Sequence, residues 1–254
     1  MEAAKNCPKI KKIICLKSGL LPEGSPDVIL PRKIIDFKTI KHLQPELSQW
    51  NQVEINSERD IFLLPYSSGT TGPPKGVMIT HKNWNTMVPN FSSFFTHEVL
   101  PYINKENVTT TDDPQLLFLP FYHIFGVGAL MCNLFMGITT VTMPKYDFEM
   151  MCKTIQNYKV RMMFMVPPVF IHLKNNVINY DISSLEMIFL GAAPVSKEAM
   201  IACQKRLPHL KKVMQGYGMT EVVMASHANT LKENFPYDSI GRPILFVVDC
   251  RTRK

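Results

Sequence analysis

The sequence predicts an α/β fold in which parallel-sheet layers carry flanking helices. Short apolar runs bounded by breakers alternate along the chain with segments of helical spacing, the pattern of strand–helix–strand units. The 254 residues are 46% hydrophobic and 19% charged, enough to bury a sizeable core. Three strings, Leu64–Val77, Leu119–Gly126 and Gln215–Glu221, fall at or just beyond the ends of predicted strands, where open α/β sheets hold their ligands.

The elements follow in order. Lys12–Leu16 and Ile61–Pro65 are short apolar runs and read as strands. Thr80 is an N-cap for a helix over His81–Phe95, which Pro89 is expected to interrupt. Gln115–Leu119 reads as a buried strand, Phe125–Met136 as a buried helix and Thr139–Met143 as a strand. Phe148, Met151, Cys152, Ile155 and Tyr158 recur at helical spacing. Arg161–Val166 is a strand closed by Pro167-Pro168, and Leu185–Leu190 is another. Ser196 caps an amphipathic helix through Leu207, Val213 begins a further strand, and Phe246–Asp249 is the last.

Composition excludes several classes. The net charge of +7 is scattered, and the densest basic run is Lys9-Ile10-Lys11-Lys12. That favours a solvated surface attractive to small anions over a nucleic-acid binder. Six cysteines at 7, 15, 132, 152, 203 and 250 form no C-x-x-C pair and read as reduced, mostly buried thiols. The 16 methionines read as adaptable core filler. The N-terminus has no apolar signal region, so the chain is not expected to be secreted, and the sequons at Asn90 and Asn107 carry no meaning. Phe125–Met143 imitates a membrane span, but Gly126, Gly128, Asn133 and Gly137 interrupt it and a Thr-rich stretch ends it. A buried helix followed by a strand accounts for it better. No paired catalytic carboxylates, metal-type Cys/His cluster or Ser-His-Asp order stands out.

The most informative string is Leu64-Pro65-Tyr66-Ser67-Ser68-Gly69-Thr70-Thr71-Gly72-Pro73-Pro74-Lys75-Gly76-Val77. Gly69 and Gly72 allow a turn with inward-facing N–H groups, Ser67, Ser68, Thr70 and Thr71 add hydroxyl donors, and Lys75 adds a cation. This suits a polyphosphate, although the spacing is not that of a Walker A loop, and a plain Ser/Gly turn is the bland alternative. Leu119-Pro120-Phe121-Tyr122-His123-Ile124-Phe125-Gly126, Gly191-Ala192-Ala193-Pro194 and Gln215-Gly216-Tyr217-Gly218-Met219-Thr220-Glu221 follow in that order. Taken alone, His123 or Tyr217 would be an ordinary core residue and Glu221 a solvated charge.

Together these strings resemble the signature motifs of the adenylate-forming enzymes: acyl-CoA synthetases, 4-coumarate–CoA ligases and insect luciferases. The resemblance runs from about Ile10 to about Val248. It implies a carboxylate–CoA ligase that joins a fatty or aromatic acid to ATP as an acyl-adenylate and then passes the acyl group to CoA. It further implies that Ser67, Ser68, Gly69, Thr70, Thr71, Gly72 and Lys75 hold the β- and γ-phosphates. Gly191, Ala192 and Ala193, with Gln215, Gly216, Tyr217 and Gly218, would contact the nucleotide, Tyr217 lying against adenine. Thr220 would bind the α-phosphate, Glu221 would hold Mg²⁺, and His123 would line the junction of acyl pocket and α-phosphate. Lys75, His123, Thr220 and Glu221 are the catalytic set. Phe164, Val166 and Phe170 are acyl-pocket candidates by position, with an ordinary core role as the alternative.

In this family a ribose-binding Asp, a hinge and a small lysine-bearing domain follow the third motif. Residues 1–254 therefore read as an incomplete large domain without the small one, and neither Asp249 nor Lys254 is matched to those roles. A catalytically weak or inactive nucleotide-binding fragment is the alternative reading. The expected partners are a carboxylic acid, ATP and CoA, with no nucleic acid and no membrane span. The expected location is cytoplasmic or peroxisomal, although Arg251-Thr252-Arg253-Lys254 is not an S-K-L tripeptide.

Overall fold

The computed structural model describes residues 10, 12–16, 34–41, 43, 53–67, 72–103, 113–230 and 235–244. The chain divides into two units, Met1–Glu54 and Ile55–Lys254. In the first, β1 (Ile13–Cys15) pairs in parallel with β2 (Ile34–Asp36), and a short helix α1 (Phe37–Ile40) follows.

The second unit opens with β3 (Ile61–Leu63), β4 (Tyr66–Ser67), β5 (Lys75–Gly76) and β6 (Ile79–Thr80). Both pairings here, β3 with β6 and β4 with β5, are antiparallel, so this part departs from the all-parallel expectation. Helix α2 (His81–Phe94) begins on a capping box: the Thr80 hydroxyl accepts from Asn83 N while the Asn83 side chain accepts from Thr80 N. Thr80→Ala is expected to lower stability by about 1 kcal/mol, read as a shift in the urea midpoint at unchanged slope.

Pro89 does not interrupt the helix. It sits on the exposed side, while Trp84, Met87, Val88, Phe91 and Phe94 on the other side are buried. Each of those side chains contributes about 1.5–3 kcal/mol on burial, which together outweigh the roughly 3 kcal/mol that an interior proline costs. The helix passes into a π-helical stretch (Phe95–Val99) and then α3 (Leu100–Ile103).

Strand β7 (Gln115–Leu117) and β8 (Thr140–Thr142) pair in parallel on either side of α4 (Ile124–Met136). Gly137, with φ 71, ends α4 in the left-handed cap that favours glycine. Among the described residues no helix is long and apolar enough to cross a membrane. Helix α5 (Phe148–Tyr158) is capped by Asp147, whose carboxylate accepts from Met150 N at 2.7 Å. Next come β9 (Met162–Met165), α6 (Pro167–Asn175), β10 (Met187–Leu190), α7 (Lys197–Arg206) and β11 (Lys212–Tyr217). The two prolines that were expected to close β9 also start α6, where the missing N–H costs nothing.

Strands β9, β10 and β11 run parallel, with Met162, Met187 and Lys212 in register. The antiparallel β12 (His227–Ala228) and β13 (Arg242–Pro243) extend the sheet past β11. Every residue of β9 and β10 is buried, as a parallel sheet covered on both faces requires. Phe91 of α2 and Phe125 of α4 meet Phe164, and Phe91 also meets Phe189, so these two helices cover one face. Helices α6 and α7 pack on each other, and α7 packs on β11. The expected Phe246–Asp249 strand lies outside the described residues.

Three of the cysteines are buried thiols. Cys132, Cys152 and Cys203 are buried, and burial pushes the first up to about 12 and the other two up to about 11. Cys7 and Cys250 lie outside the described residues.

Candidate active site

The cavity that gathers the motifs measures about 420 Å³ and lies at the carboxyl ends of β10 and β11. Four strings far apart in sequence supply its lining. Ser67 comes from the end of β4, His123 from the start of α4, Gly191 and Ala192 from the loop after β10, and Gly216–Glu221 from the end of β11 onward. This is the position at which a doubly wound sheet presents ligand contacts.

Each side chain is held for a local reason. His123 is the N-cap of α4, and its Nδ1 accepts from Phe125 N at 3.1 Å. With Nδ1 occupied as an acceptor, the neutral ring carries its proton on Nε2, which is left as a donor. Thr220 and Glu221 open a 3-10 turn (Thr220–Val222), with Thr220 buried and Glu221 exposed. Tyr217 is 48% exposed, its ring edge-on to His227 at 6.2 Å, so much of the ring surface is free for a planar ligand.

Backbone in and beside the cavity lining is strained. Ala192, Val223 and Met224 hold left-handed backbone, with φ of 73, 58 and 101. Such residues cost about 1–3 kcal/mol each and persist where surrounding bonds over-determine them. Here Gly191 N donates to Met165 O at 3.1 Å, Val223 N to Thr220 O at 3.1 Å and Met224 N to Met219 O at 3.3 Å.

Not every predicted site residue reaches the cavity. Lys75 pairs directly across from Ser67 and is exposed, but it does not line the cavity. Gly72 has φ 130, a conformation reserved for glycine, and also lies outside the lining. Ser68, Gly69, Thr70 and Thr71 lie outside the described residues. Ala193 is exposed and Gln215 buried, and neither lines the cavity. The Gln215 side chain is engaged elsewhere: Oε1 accepts from Val195 N at 3.0 Å and Nε2 donates to Tyr237 O at 2.6 Å. It ties the loop bearing Gly191 and Ala192 to the strand that bears Tyr217.

Of the three residues weighed between acyl pocket and core, two take the core role. Phe164 and Phe170 are buried in the core, and Phe91, Phe95, Phe125 and Phe189 surround the Phe164 ring. Val166 lines a different, mostly apolar cavity of about 530 Å³, walled by Phe118–Tyr122 and Thr142–Tyr146. The apolar lining of the first cavity is instead Ile124, Phe125, Phe189, Met219, Met224 and Ala225. Ile124, Phe125 and Met219 sit inside the motifs quoted above and could have been read from them. Nothing local marks Phe189, Met224 or Ala225.

The AMP-binding enzyme family matches residues 9–253. The chain belongs to this family. It is 32% identical over 253 residues to acyl-CoA synthetase 7 of Caenorhabditis elegans, covering 95% of this chain and 42% of that protein. It is 34% identical over 236 residues to 4-coumarate–CoA ligase 1 of Arabidopsis thaliana, covering 89% of this chain and 39% of that protein. Among solved structures, O-succinylbenzoate coenzyme A synthetase (MenE) from Bacillus subtilis in complex with AMP superposes with a TM-score of 0.63 at 25% identity. That match covers 84% of this chain and 41% of MenE. The long-chain-fatty-acid–CoA ligase FadD1 of Archaeoglobus fulgidus gives a TM-score of 0.62 at 25% identity over 77% of this chain and 39% of FadD1. The chain thus spans about two-fifths of the length of these relatives.

Proposed function

We propose that this chain binds ATP in the 420 Å³ cavity as the nucleotide-binding part of a carboxylate–CoA ligase. The observation that carries the reading is the convergence of Ser67, His123, Gly191 and Gly216–Glu221 on one cavity. The relatives named for acyl-CoA and 4-coumarate–CoA synthesis support the ligase class, and the AMP complex of MenE supports the nucleotide.

In the first half-reaction a carboxylate oxygen attacks the α-phosphorus of ATP and pyrophosphate leaves. In the second, the CoA sulfur attacks the acyl carbon and AMP leaves. The first step needs alignment and stabilisation of phosphate charge more than a covalent nucleophile. The Thr220 hydroxyl and His123 Nε2–H are the donors beside the reacting oxygens, Ser67 adds a hydroxyl, and the Tyr217 ring packs on adenine. Glu221 fits Mg²⁺, a cation that commonly takes one or two protein carboxylates and completes its shell with phosphate oxygens and water. Among the described residues no group of three or more His, Cys, Asp or Glu forms an all-protein cage. When bound, the ion supplies neutralisation of the phosphate charge. A cytosolic or peroxisomal location is proposed with it, on the reading of the cysteines as reduced thiols.

The test is calorimetric titration with Mg·ATP, followed by carboxylate-dependent pyrophosphate release. Glu221→Ala is expected to weaken Mg·ATP about 10- to 100-fold, matching the roughly 1.5–3 kcal/mol of a charged contact, and Lys75→Ala is expected to do the same through phosphates that extend past Ser67 to the strand opposite it, outside the cavity lining. Failure of the wild-type chain to bind Mg·ATP, or affinity unchanged in both variants, would sink the assignment. Binding with no pyrophosphate release for any acid would identify a nucleotide-binding chain that does not turn over.

A further inference from the structure

Tyr217 lines the cavity from the last position of β11, and its side chain is half-exposed. A ring so open to water can turn about its side-chain torsions and leave the plane that a flat ligand needs. The neighbouring strand supplies the restraint. In the antiparallel pairing of β11 with β12, Tyr217 stands directly opposite His227, and residues so placed project from one face of a sheet. The two rings meet at 6.2 Å with their planes 65° apart, an edge-on contact within the range at which rings attract. Among the described residues this is the one ring packed on Tyr217. His227 itself does not line the cavity.

The imidazole is held in its turn. Its Nδ1 shares a hydrogen bond of 3.0 Å with Ser226 Oγ, and that hydroxyl also donates to Tyr217 O at 3.4 Å. The backbone repeats the link: Ser226 N donates to Tyr217 O at 2.9 Å, and Ile244 N donates to Ser226 O at 2.9 Å. Strand β12 is thus tied to the end of β11 on one side and to the residue after β13 on the other. A ring carried on this ribbon keeps its place relative to the Tyr217 backbone.

We infer that His227 is a positioning residue, which fixes the plane of the Tyr217 ring against which the purine base stacks. The inference rests on the nucleotide reading proposed above. His227 acts through Tyr217 and not on the ligand. A flat ring is what the position requires, and the Ser226 bond anchors it.

The test is a double-mutant cycle on Mg·ATP affinity, read by calorimetric titration of the full chain. His227→Ala is expected to weaken Mg·ATP about 3- to 10-fold where Tyr217 is present, since a loosened ring must be ordered on binding. In a Tyr217→Ala background, with no ring to position, the same substitution should change affinity by less than about twofold. His227→Phe keeps a ring and should bind within about twofold of the wild type. His227→Asn keeps a polar partner for Ser226 without the ring, should match His227→Ala, and takes its place if that variant does not fold. A merely structural role would give the same loss in both backgrounds. Equal losses with and without Tyr217, a loss from His227→Phe as large as from His227→Ala, or no loss from the variants lacking a ring would overturn the inference. Absence of Mg·ATP binding by the wild type would instead overturn the nucleotide site, and this inference with it.

Discussion

Gly218→Ala is expected to abolish nucleotide binding and to destabilise the chain by about 3 kcal/mol or more. A Cβ at this position would lie 1.6 Å from the Met224 carbonyl oxygen and 2.6 Å from its carbon. Both are backbone atoms, so no side-chain rotation relieves the overlap. The facing segment cannot move alone either. Val223 and Met224 already hold left-handed backbone, and Met224 N, Val223 N and Ser226 N are bonded to Met219 O, Thr220 O and Tyr217 O. Displacing Met224 therefore displaces Thr220 and Glu221, the residues assigned to phosphate and metal. Gly76→Ala is the matched control from the first motif. Its Cβ would meet only the Tyr66 and Leu64 side chains at 3.8 and 4.0 Å, ordinary contacts, and stability should stay within about 0.5 kcal/mol. Urea unfolding and Mg·ATP titration of both variants check the pair. A Gly218→Ala chain that unfolds and binds like the wild type would mean the third-motif turn is not packed as described.

The contrast between these two glycines shows what the sequence could convey. Both lie in recognisable strings, yet only the fold reveals that one of them faces backbone. Strand and helix positions were legible because local signals decided them: the apolar runs of β9 and β10, Thr80 and Ser196 as caps, and Gly137 at a helix end. The convergence of the motifs on strand ends was legible for the same reason. Pairing direction was not. The antiparallel β4–β5 hairpin and the antiparallel β12 and β13 depend on partners that short runs do not specify. The role of Gln215 was hidden too, since its side chain answers to Val195 and Tyr237, about twenty residues away on either side. The choice between pocket and core for Phe164 was not legible either, because it turns on packing order. Phe125 and Phe189 line the cavity while Phe164 stacks against both from within the core, an ordering set by tertiary contacts and absent from the spacing of any one strand.

At the opposite end of the sheet from the cavity, Arg161→Met is expected to cost about 2–3 kcal/mol and to change how stability depends on pH. Arg161 donates to Asp113 at 3.0 Å and to Glu186 at 3.2 Å, and Lys211 reaches the other Glu186 oxygen at 2.9 Å. The Arg161, Asp113 and Glu186 side chains are only 21%, 17% and 21% exposed. Backbone bonds join the same residues: Glu186 N donates to Arg161 O, and Lys211 N to Glu186 O. The cluster thus pins the starts of β9, β10 and β11. Breaking a buried pair from one side costs about 3–5 kcal/mol, reduced here because a fifth of each side chain still meets water. For Glu186, burial works to raise the pKa, but the Lys211 hydrogen bond and the Arg161 charge outweigh it and hold the carboxyl below its ordinary value. A depressed carboxyl stabilises the fold above its unfolded pKa of about 4.3, and that contribution is lost as the pH falls through the folded value. Removing Arg161 weakens that depression and leaves the Asp113 charge less compensated, so protonation then relieves the fold. The deficit of Arg161→Met should therefore be largest near pH 7 and should narrow toward pH 4, measured as the difference in urea midpoints from the wild type. An equal deficit at both pH values would mean that packing of the Arg161 stem, and not its charge, joins these strands.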